Sequence, residues 1–197
     1  MKRFFTILLI TFMAFSSMAE TIEKVYYFNN PTVKNLGMQQ EIRFSNTLTS
    51  GIAGEPALPY NAVNLLLPPG HEAISISFEG FDETELAGYY VLAPAQHSKP
   101  ISEPGKSTWV ENQEIYRSNQ PYPKTHTGTL STRFMNGYSY AQTVFTPVIY
   151  NPVKGQISFY KKVVIRIETR ATTKGREALK NLSSAPVIIN KCAQKAQ

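Results

Sequence analysis

Residues 51–70 constrain the fold of this chain more than any other stretch, because two prolines, a short apolar run and a Pro-Pro-Gly turn follow one another. Pro56 and Pro59 fix their own φ at about −65° and favour extended backbone at the residue before each. The apolar run 63–67 has the length of a buried strand, and the Pro-Pro-Gly sequence after it ends it abruptly. The stretch therefore predicts one strand of an all-β domain with an extended segment before it.

Two later segments alternate apolar and polar residues with the period of two that is typical of a strand with one buried face. In residues 73–78 the pattern predicts that Ile74, Ile76 and Phe78 face the core while the serines between them face solvent. Residues 163–167 repeat the pattern with Val and Ile. The sequence NPVKG between these segments predicts a hairpin turn, because proline and glycine suit its turn positions.

Together these segments predict an all-β, sandwich-like antiparallel domain of about nine strands, one of them at residues 110–117. The composition changes after Arg170, where the chain becomes polar and basic and loses the period of two. We expect a linker or tail there that is irregular or contains a short helix. The predicted parts are a signal peptide at residues 1–19, the β domain at residues 20–170 and the tail at residues 171–197.

The start of the chain has the pattern of a secretory signal peptide. A positively charged beginning precedes the apolar run 4–15, and Ser-Ser-Met-Ala follows as a small-x-small cleavage pattern. The run is too short to span a bilayer comfortably, and no later run is longer. We predict cleavage between Ala19 and Glu20, export to the periplasm or the extracellular space, and no stable membrane span.

Composition and motifs exclude several classes of function. The formal net charge of +6 is modest and its Lys and Arg residues are scattered, which argues against nucleic-acid binding. Asp82 is the only aspartate, so a calcium loop and a catalytic Asp pair are excluded. The common hydrolase, zinc and phosphate-binding motifs do not appear. We therefore predict no catalytic residue, no metal and no cofactor.

The remaining carboxylates, histidines and the cysteine are predicted to have no catalytic or metal-binding role. Three neighbouring carboxylates are typical of a solvated turn rather than a metal site, and they are Asp82, Glu83 and Glu85. The histidines lie far apart in predicted loops, and we expect solvent exposure for His71, His97 and His126. The only cysteine, Cys192, has no evident base and is predicted to be an incidental thiol rather than a nucleophile.

Two motifs at opposite ends of the predicted domain are more specific. GEPALPY is followed by LLLPPG within residues 54–70, and FTPVIYNPVKGQISFYKK occupies residues 145–162. Their sequences and order resemble the propeptide domain of gingipain-type cysteine peptidases, over about residues 26–169. The resemblance implies a β scaffold that is held against a catalytic domain, blocks its active-site cleft and is removed by cleavage at basic residues.

Because peptidases of this family cut after Arg or Lys, the resemblance implies two roles for basic residues. One would enter the specificity pocket of the partner peptidase as a pseudo-substrate, and the candidates are Arg117, Lys124 and Arg133. Another would mark the processing site, and the candidates are Arg170, Lys174 and Arg176. Ordinary surface charge is the alternative interpretation of each.

The resemblance thus implies a non-catalytic domain that binds and inhibits a gingipain-like cysteine peptidase and can help it fold. The sequence stops at Gln197 without a Cys-His dyad, so the peptidase is expected in cis in a longer precursor or in trans. A free-standing homologue, a truncated product and a fragment of a precursor all remain open. The alternative is a secreted β-sandwich adhesion or carbohydrate-binding module, which exposed co-planar aromatic rings would favour.

Overall fold

The computed structural model describes residues 19–97 and 109–183. Two predictions fall outside the described residues. They are the signal sequence before Ala19 and the incidental thiol of Cys192. The described residues form ten strands and two helices. The strands are β1 (Glu20–Tyr27), β2 (Thr32–Leu36), β3 (Gln39–Arg43), β4 (Leu48–Ser50), β5 (Leu58–Leu66), β6 (His71–Leu86), β7 (Ser131–Met135), β8 (Tyr138–Phe145), β9 (Val148–Asn151) and β10 (Gln156–Ala171). The helices are α1 (Gln113–Tyr116) and α2 (Thr173–Ser183).

Two antiparallel four-stranded sheets carry the fold. The first sheet has the order β1-β10-β6, with β9 also paired to β10, and the second has the order β4-β5-β8-β7. The long strand β10 organises the first sheet, since β1 pairs with its residues 162–169 and β6 with its residues 157–171. Strands β2 and β3 form a separate two-stranded sheet. The predicted all-β, sandwich-like antiparallel fold is confirmed.

The core centres on Phe145 of β8, whose side chain is fully buried. Its ring meets Tyr26 edge to face with the ring centroids 4.8 Å apart, and its centroid lies 6.1 Å from that of Phe78. Tyr26 belongs to β1 and Phe78 to β6, so this aromatic cluster joins the two sheets. Burial of one large apolar side chain contributes about 1.5–3 kcal/mol, and aromatic pairs of this geometry add to that.

The hairpin predicted at residues 151–155 is confirmed. Asn151 at the end of β9 pairs with Gln156 at the start of β10. The side-chain oxygen of Asn151 accepts a hydrogen bond from the backbone N–H of Lys154 at 3.1 Å, which closes the turn. Gly155 adopts φ +59°, a conformation that glycine reaches without steric cost.

The buried face of β6 differs from the prediction at Ile74, whose side chain is 47% exposed. Ser75 pairs with Glu168 and Ala73 pairs with Thr169, so Ile74 is the extra residue of a β-bulge. A bulge inserts one residue into the alternation and changes which side chains point inward. Ala73 packs against the core in place of Ile74.

Two other local predictions are wrong. Strand β6 continues past the three neighbouring carboxylates, which therefore lie in a strand rather than a turn, with Asp82 at φ +55°. Residues 110–117 contain the helix α1 instead of a strand. The side chain of Asn112 accepts hydrogen bonds from the backbone N–H groups of Glu114 and Ile115, and this N-cap favours a helical turn.

Helix α2 begins two residues after β10 ends and packs against β6 and β8. The side chain of Leu179 lies over Gly70 in the turn between β5 and β6. The sequence predicts a tail that is either irregular or contains a short helix, and the described part of the tail contains the helix. Within residues 19–97 and 109–183, no helix is both long and apolar enough to cross a membrane.

Candidate functional site

Residues 122–127 are hydrogen-bonded to the sandwich at both ends, and we call this segment the anchored loop. Its two ends form isolated β-bridges, Tyr122 with Tyr150 and Thr127 with Phe145. Prolines at positions 121 and 123 restrict the backbone before and within the loop. The loop is therefore a short irregular segment whose ends are positioned by β9 and β8.

The first end of the anchored loop is held by Tyr122. Its backbone N–H donates to the carbonyl of Tyr150, and the N–H of Tyr150 donates back to the carbonyl of Tyr122, both at 2.8 Å. The Tyr122 hydroxyl also donates to a carboxylate oxygen of Glu55 at 2.8 Å. Burial, and after it the hydrogen bond to Glu55, raise the pKa of Tyr122, so the hydroxyl stays protonated and remains a donor.

The second end is held by His126. Its carbonyl accepts a hydrogen bond from the backbone N–H of Thr146 at 2.9 Å, and its ring Nδ1 donates to the carbonyl of Thr146 at 3.0 Å. The ring stacks on Phe78 with the centroids 4.5 Å apart and meets Tyr160 edge to face. Burial lowers the pKa of His126, against opposing effects from the bond to Thr146 and from the Glu83 carboxylate.

Lys124 lies between these two ends and its side chain is exposed. It forms no ion pair with any other described residue. The backbone on either side is fixed by the bonds of Tyr122 and His126, while the cation itself points to solvent. This arrangement presents one basic side chain on a backbone that has already lost much of its conformational freedom.

A groove of about 690 Å³ runs beside Lys124. Its walls combine apolar side chains with a carboxylate, and they include Ile52, Glu55, Tyr60, Ile115 and Tyr122. Ile52 is 70% exposed, so the groove offers an apolar side chain that a partner could cover. The groove and the exposed lysine therefore form one continuous surface feature.

The other two candidates for the pseudo-substrate role lie in different settings. Arg117 follows α1 directly and its backbone is turned, with φ −95° and ψ 0°. Arg133 lies within β7, where it pairs with Tyr140 of β8. Both side chains are exposed, but neither residue lines the groove beside Lys124. The structure thus does not bring the three candidates together.

The three candidates for processing all lie in regular structure. Arg170 is near the end of β10 and pairs with Glu72 of β6. Lys174 and Arg176 lie in the first turn of α2. All three side chains are exposed. The Nζ of Lys174 lies 3.9 Å from a carboxylate oxygen of Glu72 and 5.3 Å from the centre of the Phe134 ring.

Two of the histidine predictions are wrong, because His71 and His126 are partly buried while His97 is exposed. The ring Nδ1 of His71 lies 3.0 Å from the hydroxyl of Thr169. Sequence reasoning missed the role of His126 in the anchored loop, since its partners come from distant strands. In residues 19–97 and 109–183, no group of three or more His, Cys, Asp or Glu side chains is arranged to hold a metal ion.

Comparison with known proteins agrees with this fold. The family model Propeptide_C25 matches residues 16–194. A solved structure of the complex of Porphyromonas gingivalis RgpB pro- and mature domains is similar to 78% of this chain and 80% of its own, with 19% identity and a TM-score of 0.60. A structure concerning the zymogenic latency of gingipain K from Porphyromonas gingivalis is similar over 81% of this chain and 96% of its own, with 18% identity and a TM-score of 0.64.

No curated protein matches the chain. The two solved structures share too little identity to establish more than the fold, but the family model spans nearly the whole sequence. The chain therefore belongs to the Propeptide_C25 family, the propeptide domains of gingipain-type cysteine peptidases.

Proposed function

We propose that this domain binds and inhibits a gingipain-like cysteine peptidase, and that Lys124 of the anchored loop is the residue that enters the peptidase's specificity pocket. The domain itself is non-catalytic in this proposal. The observation that carries it is the position of Lys124, an exposed and unpaired cation between two hydrogen-bonded loop ends. The partner is the catalytic domain in the same precursor or in a separate chain.

The backbone setting favours Lys124 over the two other candidates. A segment already held in one conformation loses less entropy on binding than a free one, so more of the contact energy appears as affinity. Arg117 lies on a turned backbone after α1 and Arg133 lies in a paired strand, so neither lies on an irregular segment that is fixed at both ends. Lys124 alone of the three also borders the groove, whose apolar wall at Ile52 and Ile115 gives the partner further surface to cover.

A basic side chain is the chemistry that a pocket selective for Arg or Lys requires. The pocket carboxylate would pair with the Lys124 cation in a desolvated site, where the pair is stronger than on an open surface. The solved relatives are a complex of pro- and mature domains and a structure concerning zymogenic latency, and both names support an inhibitory role here. A rigid β domain can also act as a template during folding of its partner.

Export and processing complete the proposal. Strand β1 begins at Glu20, directly after the proposed signal cleavage point at Ala19, and the Glu20 carbonyl accepts a hydrogen bond from Thr169 at 2.9 Å. Export would place the domain in the periplasm or outside the cell. Removal of the domain would follow cleavage after one of the basic residues near the start of the tail, at Arg170, Lys174 or Arg176.

The experiment is a binding and inhibition assay with the domain, residues 20–197, and the gingipain-like peptidase of the same organism. The proposal predicts saturable inhibition, and tight binding by calorimetry to a peptidase whose nucleophilic Cys is replaced by Ala. A trypsin-type serine peptidase is the control for simple occupation by any basic loop. Absence of both binding and inhibition would contradict the proposal, and specific glycan binding instead would favour the adhesion module.

A further inference from the structure

The start of β6 and the start of α2 meet at one corner of the domain. Gly70, His71 and Glu72 form one side of this corner, and Thr172 lies opposite them between β10 and α2. The backbone N–H of Thr172 donates to the carbonyl of Gly70 at 3.1 Å. The hydroxyl of Thr172 donates to a carboxylate oxygen of Glu72 at 2.6 Å. The chain therefore enters α2 along two hydrogen bonds to the β6 side.

Thr172 also begins the helix. Its hydroxyl oxygen accepts a hydrogen bond from the backbone N–H of Gly175 at 2.9 Å, and its carbonyl accepts one from the N–H of Arg176 at 3.0 Å. A threonine that accepts from the third helical residue is an N-cap, which stabilises the first turn. The same hydroxyl thus both caps α2 and holds it to Glu72.

The first turn of α2 approaches Gly70 without side chains between the two backbones. A Cβ atom at position 175 would overlap the carbonyl of Gly70, so only glycine allows this approach. The side chains of Arg176 and Leu179 also lie against Gly70. Helix α2 is therefore seated on the domain by a close backbone contact in addition to its cap.

All three candidate processing positions lie in the paired or helical backbone at this corner. Arg170 is paired in β10 opposite Glu72, and Lys174 and Arg176 belong to the helical turn that rests on Gly70. Their side chains are exposed, but a peptidase needs several residues of accessible, unpaired backbone around the bond that it cuts. Cleavage at any of them therefore requires that the corner open first.

We propose that the corner formed by Gly70, His71, Glu72 and Thr172 is a latch that controls proteolytic removal of the domain, a proposal that rests on the processing role proposed above. While α2 is packed against Gly70, the side chains of the basic residues are exposed, but their backbone cannot bind in a peptidase cleft. When α2 leaves Gly70, the bonds after Lys174 and Arg176 become extended substrates, and Arg170 becomes one only when its pairing with Glu72 opens as well. The rate of cleavage then follows the fraction of molecules with the latch open.

Gly175→Ala is the most informative variant, because a free helical tail and a latched helix predict opposite changes in its cleavage rate. Alanine favours an isolated helix over glycine, so a free helical tail would be cut more slowly. At the latch, however, the new methyl group would push α2 away from the Gly70 carbonyl. The latch therefore predicts cleavage after Lys174 and Arg176 that is faster by at least about tenfold, as expected for a buried steric overlap.

Thr172→Val is the second variant, since it keeps the shape of the side chain and removes only its hydroxyl. Loss of a cap typically changes an equilibrium by about twofold to thirtyfold, and the latch predicts faster cleavage in that range. Glu177→Ala is the matched control, because Glu177 is exposed on the same helix. Its rate of cleavage after Lys174 should match that of the wild type.

The measurement is the rate of cutting of residues 20–197 by a general Lys/Arg-specific endopeptidase, with each product assigned by intact mass. Equal rates for wild type and both latch variants, or slower cutting of Gly175→Ala, would overturn the latch. Early cuts inside residues 74–78 or 163–167 would show global unfolding instead, and would also overturn it. The assay contains no partner peptidase, so the latch is judged even if the domain inhibits nothing.

Discussion

The anchored loop and the first turn of α2 both present exposed basic side chains, but on different backbones. Lys124 lies on an irregular segment that is fixed at both ends and borders a groove. Lys174 lies in a helical turn, with its amine near Glu72 and the Phe134 ring. Both side chains are exposed, so exposure alone does not distinguish the two proposed roles.

The difference teaches that backbone conformation decides what a basic residue can do for a peptidase. A segment that is fixed at both ends can bind in a cleft without losing much further conformational freedom. A peptidase cannot cut the backbone of α2 while the helix is packed on the domain, and can cut it only after the helix unwinds. Together, the two proposals describe a domain that blocks a peptidase at one place and delays its own removal at another.

The largest expected effect comes from the core that supports both regions. Phe145→Ala removes a fully buried ring that joins the sheets, and its backbone bridges Thr127 of the anchored loop. We expect a loss of about 3–5 kcal/mol in the free energy of unfolding, from lost burial and the cavity left behind. Denaturant unfolding measures it, and Gln142→Thr on the exposed side of β8 is the control. A loss below about 1 kcal/mol would contradict the assigned core.

The next prediction tests whether the anchored loop opens independently of α2. Tyr122→Phe removes the hydroxyl that donates to Glu55, a bond to a charged acceptor that contributes about 1.5–3 kcal/mol. Hydrogen exchange at the Tyr150 amide, which donates to Tyr122, should accelerate by about tenfold or more, while exchange at Gly175 in α2 stays unchanged. Tyr116→Phe, which removes a bond to the carbonyl of Leu92, should leave the anchored loop closed. Equal acceleration in both regions would mean that they open as one unit.

A smaller effect comes from pH. Burial lowers the pKa of His126 in the folded state, so its contribution to stability is fully present above the unfolded value of about 6.5 and is lost as pH falls below it. The titratable groups that act on the ring are Glu83, which raises the pKa of His126, and Tyr160, which meets the ring edge to face. Between pH 7.5 and 5.5 the opening of the loop should rise by at most about tenfold.

Exchange at the Thr146 amide, which donates to the His126 carbonyl, reports this opening once corrected for intrinsic exchange. His126→Phe keeps an aromatic ring against Phe78 but cannot titrate, so its corrected exchange should not depend on pH in this range. A pH dependence that persists in His126→Phe would assign the effect to another group.

Local patterns in the sequence were enough for some of this structure. The NPVKG turn depends only on neighbouring residues and appears as predicted. In β10, Val163, Ile165 and Ile167 are buried as their alternation predicts, but Val164 on the opposite face is buried as well. The N-cap at Asn112 is also a local signal, but Ile115 and Tyr116 suit a strand as well, and the sequence alone therefore predicts a strand there. The bulge at Ile74 could not be predicted, because it depends on the register between β6 and β10.

The candidate site was predictable only as a set of residues. The resemblance placed Lys124 beside two other basic candidates, and nothing in the letters separated them. What distinguishes the setting of Lys124 is an irregular segment whose two ends are hydrogen-bonded to Tyr150 and Thr146, and these contacts require the folded sheet. The same holds for Gly70 and Gly175, whose contact joins residues far apart in the chain.

The most direct test of the account is the inhibition constant of residues 20–197 against the partner peptidase, for wild type and three single variants. Truncation of one member of a desolvated charge pair costs about 2–5 kcal/mol, or roughly 30-fold to several thousand-fold in affinity. Lys124→Ala should therefore weaken inhibition by at least about tenfold, while Arg117→Ala and Arg133→Ala match the wild type. Full inhibition by Lys124→Ala would contradict the account, whether or not Arg117→Ala or Arg133→Ala loses inhibition.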